Sequence, residues 1–275
     1  MTAERRPLDP LPTVWDPDSR VGDMLRGKRG LVVGIANADS IAYGCAVKLR
    51  AFGAELALTC LNEKAERHVR PLAEQMQASI LARLDVRQPG EIEAVFERIG
   101  REWGGLDFVI HSIAFAPRED LHGRVVDCSA EGFAQAMRVS CWSFLRMAKL
   151  AEPLMARGGV LVTMSYYGAD KVVGNYNIMG PVKAALEACV RYAADELGEK
   201  GIRVFAVSPG PLKTRAASGI AQFDELVQMA RQRAPQHRLV DIAEVGRVVA
   251  FLVGGASSGM TGDTIYVDAG LHNVA

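Results

Sequence analysis

Short apolar runs alternate with longer amphipathic stretches from Arg26 onward, and this alternation is the main pattern of the chain. Runs of four to six residues rich in Val, Ile and Leu are typical of buried strands. Seven such runs occur, at Gly30–Gly34, Glu55–Cys60, Ile80–Leu84, Leu106–His111, Val160–Met164, Ile202–Val207 and Thr264–Val267. Helical spacing between them predicts helices over Ser40–Phe52, Glu63–Gln77, Glu91–Trp103, Glu131–Ala156, Val182–Leu197 and Asp241–Leu252.

Strands that alternate with helices predict a parallel sheet covered on both faces, because parallel strands need crossover connections. Right-handed crossovers then give a doubly wound α/β domain of seven strands. No internal repeat or Pro/Gly/Ser-rich linker divides the chain, so residues 27–275 are predicted to form one domain. Residues 1–26 contain four prolines and mixed charges without the apolar core of a signal peptide, and we interpret them as an N-terminal extension.

The composition argues against several classes of protein. The 275 residues carry 32 Lys+Arg and 32 Asp+Glu, so there is no basic excess to neutralise a nucleic-acid backbone. No apolar run approaches the ~20 residues that span a bilayer. The five cysteines are widely spaced and include no CxxC, which argues against a disulfide framework or structural zinc. We therefore expect a cytoplasmic, metal-free protein that binds neither nucleic acid nor membranes.

The residues that follow each strand are the first candidates for function, because doubly wound sheets bind ligands beyond the carboxyl ends of their strands. Strand one is followed by GIANADSIAYG, with Gly34 at the turn and Ser40 before the next helix. This spacing is not GxGxxG. The spacing supports two interpretations equally: a turn that binds a pyrophosphate, or a simple turn followed by a helix cap.

The ends of strands two to four are less informative. After strand two, neither a ribose-binding acid nor a phosphate-binding arginine is in place, which favours a dinucleotide without a 2′-phosphate, NADH over NADPH. Asp85, after strand three, is placed either to meet an adenine edge or to cap the next turn. His111, at the end of strand four, is interpreted as a buried, hydrogen-bonded histidine in preference to a catalyst.

The segment after strand five, SYYGADKVVGNYNIMGPVKAALEA, carries the strongest chemical signal, with Tyr166, Tyr167, Tyr176 and Lys183 close together. A tyrosine near an ammonium group can donate a proton or a hydrogen bond to an oxyanion, since the positive charge favours the phenolate. Their position at the carboxyl edge of a nucleotide-binding sheet favours a catalytic role over the alternative, aromatic packing beside a solvated lysine.

This arrangement resembles that of a known family. Short-chain dehydrogenases typically carry Tyr-x-x-x-Lys. Here the interval is Tyr176-x6-Lys183, with Tyr166 ten residues upstream of Tyr176. This pattern is similar to that of the bacterial enoyl-[acyl-carrier-protein] reductases of type II fatty-acid synthesis. Four segments resemble motifs of that family and occur in the same order along the chain: GIANADSIAYG, HSIAFAP, NYNIMGPVKAALEA and SPGPLKTRAASGI. The likeness covers about Leu25 to Gly270. It implies a Rossmann-type fold, homotetramers, and reduction of a trans-2-enoyl thioester on acyl carrier protein by hydride from NADH.

The resemblance also implies roles for individual residues. Tyr176 would donate to the thioester oxygen, Tyr166 would place the thioester, and Lys183 would hold the nicotinamide ribose. The cofactor would be bound by Gly34, Ser40, Ile41, Leu61, Asp85, Val86, Ile113, Lys183, Leu212 and Thr214. The acyl substrate would be bound by Ala116, Tyr166, Met179, Ala216, Ile220 and Phe223. The small-residue run from Ala216 to Ile220, followed by Phe223, would form a mobile flap over the acyl chain.

Three departures from the family and two alternatives remain. The N-terminal extension, residues 1–26, has no counterpart in the resemblance. Pro181 lies between Tyr176 and Lys183; because proline is tolerated in the first turn of a helix, the helix is predicted to start near Met179. Leu61 stands where the family commonly has a polar or basic group, which leaves NADPH open. The nearest alternative is a short-chain reductase of a β-ketoacyl or polyketide carbonyl, which the two-tyrosine pattern disfavours. The other is a redox-sensing binding protein, whose mark would be a lost tyrosine or lysine.

Overall fold

A seven-stranded parallel sheet forms the centre of the molecule; the computed structural model describes residues 24–214 and 222–274. The strands are β1 (Arg29–Val33), β2 (Glu55–Cys60), β3 (Ile80–Arg83), β4 (Phe108–His111), β5 (Gly159–Met164), β6 (Ile202–Pro209) and β7 (Thr264–Val267). Their order across the sheet is β3-β2-β1-β4-β5-β6-β7, and all six pairings are parallel. The predicted sheet is confirmed, with each strand boundary within two residues of its prediction.

Helices cover both faces of this sheet. Those in the described residues are α1 (Ile41–Ala51), α2 (Glu63–Gln75), α3 (Glu91–Trp103), α4 (Arg118–Leu121), α5 (Ala130–Met137), α6 (Ser143–Ala151), α7 (Met179–Gly198), α8 (Phe223–Arg233) and α9 (Ile242–Val253). Local signals set several starts: Asp241 and Glu244, for example, form a reciprocal capping box at the start of α9. Helix α7 begins at Met179 with Pro181 in its first turn, as predicted.

The single helix predicted over Glu131–Ala156 is wrong, because the structure divides it. A π-helical turn at Arg138–Trp142 separates α5 from α6, and a 3₁₀ turn over Glu152–Leu154 follows α6. Within the π turn, the Ser140 hydroxyl accepts a hydrogen bond from the Phe115 N–H at 3.0 Å. The backbone stays helical from Ala130 to Ala151, so the sequence pattern was interpreted as one helix and gave no sign of the π turn.

The apolar core consists of a layer on each face of the sheet. Leu31 and Val33 of β1 pack toward α3, α6 and α7, whereas Val32 packs toward α1, α2 and α9. Leu25 is fully buried in the second layer, and its N–H donates to the Phe52 carbonyl oxygen at 2.8 Å. The core therefore reaches Leu25, within the predicted extension 1–26; residues 1–23 of that extension lie outside the described residues. None of the helices in the described ranges combines the length and apolar composition needed to span a bilayer.

His111, at the end of β4, is fully buried between two hydroxyl groups. Its Nδ1 lies 2.8 Å from Thr163 Oγ1, and its Nε2 lies 2.8 Å from Ser143 Oγ. Burial, together with the charge of nearby Lys183, lowers the pKa of His111 to about 3. Both ring nitrogens serve the fold, which confirms the interpretation of His111 as a structural histidine.

His111 leads us to predict that the fold loses stability in acid. Its folded pKa lies below its ordinary value of 6.5, so the unfolded chain binds the extra proton and stability falls as the pH drops below that value. Between pH 6.5 and pH 5, one such histidine removes about 2 kcal/mol from the free energy of unfolding. Urea unfolding should show a smaller acid-dependent loss for H111N than for the wild type. H68N, at an exposed position of α2, should keep the wild-type slope, and a wild-type slope in H111N would contradict the prediction.

Candidate active site

A cavity of about 790 Å³ lies at the carboxyl ends of β1, β4, β5 and β6. Because β1 pairs with β2 on one side and β4 on the other, the loops that follow β1 and β4 diverge here. The cavity is lined by twelve of the site residues expected from the sequence: Gly34, Ser40, Ile41, Ile113, Ala116, Tyr166, Tyr176, Met179, Lys183, Leu212, Thr214 and Phe223. It is also lined by residues that the sequence analysis missed, including Ser112, Phe115, Arg118, Leu121, His122 and Ser165.

The turn after β1 requires glycine at position 34. Gly34 has φ +107°, and a Cβ atom there would lie 2.2 Å from the carbonyl oxygen of Ser112 at the end of β4. The Ser40 hydroxyl closes the same loop by accepting hydrogen bonds from the N–H groups of Ala36 and Asn37, both at 3.0 Å. Ser40 therefore shapes the loop and does not cap α1 through its side chain. The N-terminus of α1, which favours anions, is presented to the cavity.

Tyr166 and Tyr176 lie against each other in the cavity. Their ring centroids are 4.9 Å apart at 61°, and a Cβ atom on Gly168 would come within 2.5 Å of the Tyr176 ring. Burial raises the pKa of both phenols, so both are neutral proton donors at neutral pH. Within residues 24–214 and 222–274 the buried Tyr166 hydroxyl has no hydrogen-bond partner. A buried polar group of this kind fits an oxygen atom of a bound ligand.

The loop that carries Tyr176 is shaped by two asparagines. Asn175 and Asn177 have φ values of +62° and +46°, in the left-handed region that asparagine tolerates better than most residues. The Asn177 side chain donates a hydrogen bond to the carbonyl oxygen of Leu121, which also lines the cavity. The Asn-Tyr-Asn sequence was a signal that could have identified these positioning residues.

Lys183 is buried in the second turn of α7, with 4% of its surface exposed. Its Nζ donates a hydrogen bond to the carbonyl oxygen of Met164, the last residue of β5, at 2.7 Å. Burial lowers the pKa of Lys183 to about 8, and the negative charge of Glu187 opposes this shift. The ammonium is therefore mostly protonated at neutral pH, and it supplies a fixed positive charge to the cavity wall.

Three expected cofactor residues do not line the cavity. Leu61 is 49% exposed after β2, and Val86 is buried beside a smaller cavity of about 350 Å³. The Asp85 carboxylate instead accepts hydrogen bonds from Arg87, from its N–H at 3.0 Å and from Nη2 at 2.7 Å, so Asp85 closes the turn after β3. This corresponds to the second of the two interpretations that the sequence left open for Asp85.

The structure describes only one of the three substrate residues expected on the flap. Ala216 and Ile220 lie outside the described residues, as does the rest of the run between them. Phe223 lines the cavity and is the first residue of α8, so the expected flap is helical from this residue onward. Helix α8 was missed because the sequence around it was assigned to the flap.

The chemistry of the cavity fits an extended anionic ligand that carries hydroxyl groups. The glycine turn and the start of α1 suit a phosphate, and the Lys183 ammonium suits hydroxyl oxygens nearby. In the described part of the chain, no group of three or more His, Cys, Asp or Glu side chains is arranged to hold a metal ion.

Residues 34–272 match the family model described as Enoyl-(Acyl carrier protein) reductase. The chain is 44% identical over 256 residues to an enoyl-[acyl-carrier-protein] reductase [NADH] of Rhizobium meliloti. The matched region covers 93% of this chain and 94% of that protein. The solved structure of the enoyl-(acyl-carrier-protein) reductase of Anaplasma phagocytophilum with NAD is 43% identical, with a TM-score of 0.89 over 93% of this chain and 98% of that one. The Bacillus cereus enzyme, solved with NADP⁺ and indole naphthyridinone, is 42% identical, with a TM-score of 0.90 over 92% and 99%.

The close approach of Gly34 to Ser112 predicts that G34A weakens the fold. Alanine would adopt a strained backbone conformation and collide with a backbone oxygen, so we expect the free energy of unfolding to fall by about 1–3 kcal/mol. Urea denaturation measures this loss. G174A is the matched control, because Gly174 has an ordinary φ and no atom within 4 Å of the added Cβ. If G34A were as stable as G174A, the loop geometry would be wrong.

Proposed function

The chain belongs to the enoyl-(acyl carrier protein) reductase family, and on that premise we propose how its residues perform the reaction. The protein is an oxidoreductase that uses NADH to reduce the trans-2 double bond of an enoyl thioester in fatty-acid elongation. The observation that carries the proposal is one cavity that contains Tyr166, Tyr176 and the buried Lys183. A redox sensor would have lost one of these groups, and a carbonyl reductase would not need the second tyrosine.

NADH would occupy the cavity from the turn after β1 to the end of β5. Gly34, Ser40 and Ile41 would hold the pyrophosphate at the start of α1, and Lys183 would bind the nicotinamide ribose. Other contacts would come from Ile113, Leu212 and Thr214, with Leu61, Asp85 and Val86 toward the adenosine end. When bound, NADH supplies the hydride that the β-carbon of the substrate accepts.

Tyr176 would act at the thioester oxygen. Negative charge develops on that oxygen as the β-carbon is reduced, and the neutral Tyr176 hydroxyl donates to it and stabilises the enolate. The unpaired Tyr166 hydroxyl would hold the thioester in position, which supports a role for the second tyrosine. The Lys183 ammonium favours negative charge nearby. The acyl chain would extend along Ala116, Met179 and Phe223, and Ala216 and Ile220 are proposed to cover it.

The substrate, the assembly and the location of the protein complete the proposal. The thioester would be delivered on acyl carrier protein. We also propose a homotetramer, because Phe133, Trp142 and Leu145 on α5, the π turn and α6 are 37–47% exposed, and Tyr192 on α7 is 72% exposed. Residues 27–275 would act as one domain. The five cysteines are free thiols, as expected for a protein of the reducing cytoplasm.

The reaction can be tested by following the absorbance of NADH with two substrates, a trans-2-enoyl thioester and a 3-ketoacyl thioester. We expect turnover with the enoyl substrate and none with the keto substrate. We also expect NADH to be preferred over NADPH, since no basic side chain follows β2 at Leu61. Turnover with the keto substrate alone would make the protein a carbonyl reductase. Cofactor binding without turnover of either substrate would support a sensor.

Two substitutions should separate the proposed roles of Tyr176 and Lys183. Y176F removes one donor to the developing oxyanion, so we expect kcat to fall by about 10²–10³-fold or less, with NADH affinity unchanged. K183A should mainly weaken NADH binding, as measured by fluorescence titration. K171A changes an exposed residue of the same type as Lys183 and should behave as wild type. If K183A left both affinity and turnover intact, the assignment of Lys183 would fail.

A further inference from the structure

Glu187 lies on α7 one helical turn beyond Lys183, and it is tied to the same end of β5. The Ser165 hydroxyl, which is buried and lines the cavity, donates a hydrogen bond to Glu187 Oε1 at 2.5 Å. Lys183 Nζ donates to the carbonyl oxygen of the preceding residue, Met164. Two charged side chains of α7 therefore hold two consecutive residues at the edge of the cavity.

The buried ammonium of Lys183 needs a counter-charge, because a carbonyl oxygen accepts a hydrogen bond without neutralising the charge. The Cys141 thiol of the π turn and His111 of β4 interact electrostatically with it, and Tyr176, on the loop before α7, lines the same cavity. Burial raises the pKa of Cys141 to about 12, lowers that of His111 to about 3 and raises that of Tyr176, so all three are neutral at pH 7. Among these neighbours, Glu187 is left to supply negative charge.

The surroundings of Glu187 are mixed in charge. Burial raises the pKa of its half-buried carboxyl, whereas hydrogen bonds from Ser165 and Thr264 and the charge of Arg191 oppose that shift. Asp170 faces it as a like charge, and Tyr266 of β7 is also near. Two hydroxyl donors and a cation stabilise the ionised form of this carboxyl group, which lies four residues beyond Lys183 on the same helix.

We propose that Glu187 is a positioning residue for the proposed enoyl reduction: its carboxylate, anchored by Ser165, keeps the Lys183 ammonium charged and in place against the carbonyl of Met164. The inference rests on the proposed function, in which that ammonium binds the nicotinamide ribose. A purely structural Glu187 would tie α7 to the sheet without affecting the protonation of Lys183. The two roles differ in their dependence on pH.

The charge of Glu187 raises the pKa of Lys183, so removing it lets the ammonium lose its proton at a lower pH. In the free protein, NADH affinity should decline as the pH rises through the pKa of Lys183. E187Q keeps the size and the hydrogen-bond acceptor of the side chain but removes the charge. We expect the midpoint of this decline to move down by roughly 0.5–1 pH unit in E187Q.

The experiment is a fluorescence titration of the full chain with NADH between pH 6 and pH 10, for the wild type, E187Q and E187D. E187D keeps the charge but moves it by one methylene group, so its midpoint should lie between those of the other two proteins. E196Q removes a charge from an exposed position of the same helix and should match the wild type. Turnover of the enoyl thioester is measured in parallel, and E187Q should change the Kd for NADH without changing the KM for the thioester.

A midpoint in E187Q equal to that of the wild type would overturn the inference, and so would a loss of affinity that is uniform across the pH range. If E187Q does not fold, as judged by circular dichroism, E187D decides: a lowered midpoint supports the inference, and an unchanged one overturns it. If the wild type binds NADH but reduces no enoyl thioester, the proposed function fails, while the midpoints still report whether Glu187 acts on Lys183.

Discussion

The site depends on one positive charge held out of water at the carboxyl edge of the sheet. The Lys183 ammonium is buried, and its single described hydrogen bond is to the backbone of β5. A buried charge is costly unless its surroundings compensate for it, and here it influences its neighbours in turn. It helps keep His111 neutral and opposes the rise in the pKa of Cys141. The protonation states of His111 on β4, Cys141 on the π turn and Lys183 on α7 are therefore linked.

The sheet makes that arrangement possible. Reversal of the strand order at β1 and β4 separates the loops that follow these strands, and the cavity forms between them. The same reversal brings the backbone at Gly34 against the carbonyl oxygen of Ser112, so there is no space for a side chain at position 34. This close turn lies beside the N-terminus of α1, which favours anions, while Tyr166 and Tyr176 lie between β5 and α7 and Lys183 lies on α7.

The sequence predicted the parts that depend on periodicity and on residue type, and it missed those that depend on local geometry. All seven strands were found because buried parallel strands are short, apolar and bounded by helices. The π turn at Arg138–Trp142 and helix α8 leave weak or misleading periodic signals, so the structure was needed to show them. The exclusion of Asp85 from the cavity could not be predicted either, because it depends on the Arg87 side chain folding back over the turn.

The interval between Tyr176 and Lys183 has a structural meaning that spacing alone does not reveal. In a Tyr-x-x-x-Lys motif both residues occupy one face of a helix, so the helix fixes their separation. Here α7 begins at Met179, which leaves Tyr176 on the preceding loop, where Asn175, Asn177 and the space above Gly168 set its position. Carbonyl reduction adds hydride and proton to two bonded atoms, whereas in an enoyl thioester the β-carbon is three bonds from the oxygen. In the proposed reaction, the Tyr176 hydroxyl, placed outside the helix, would meet that more distant oxygen, while Lys183 stays at the sheet edge.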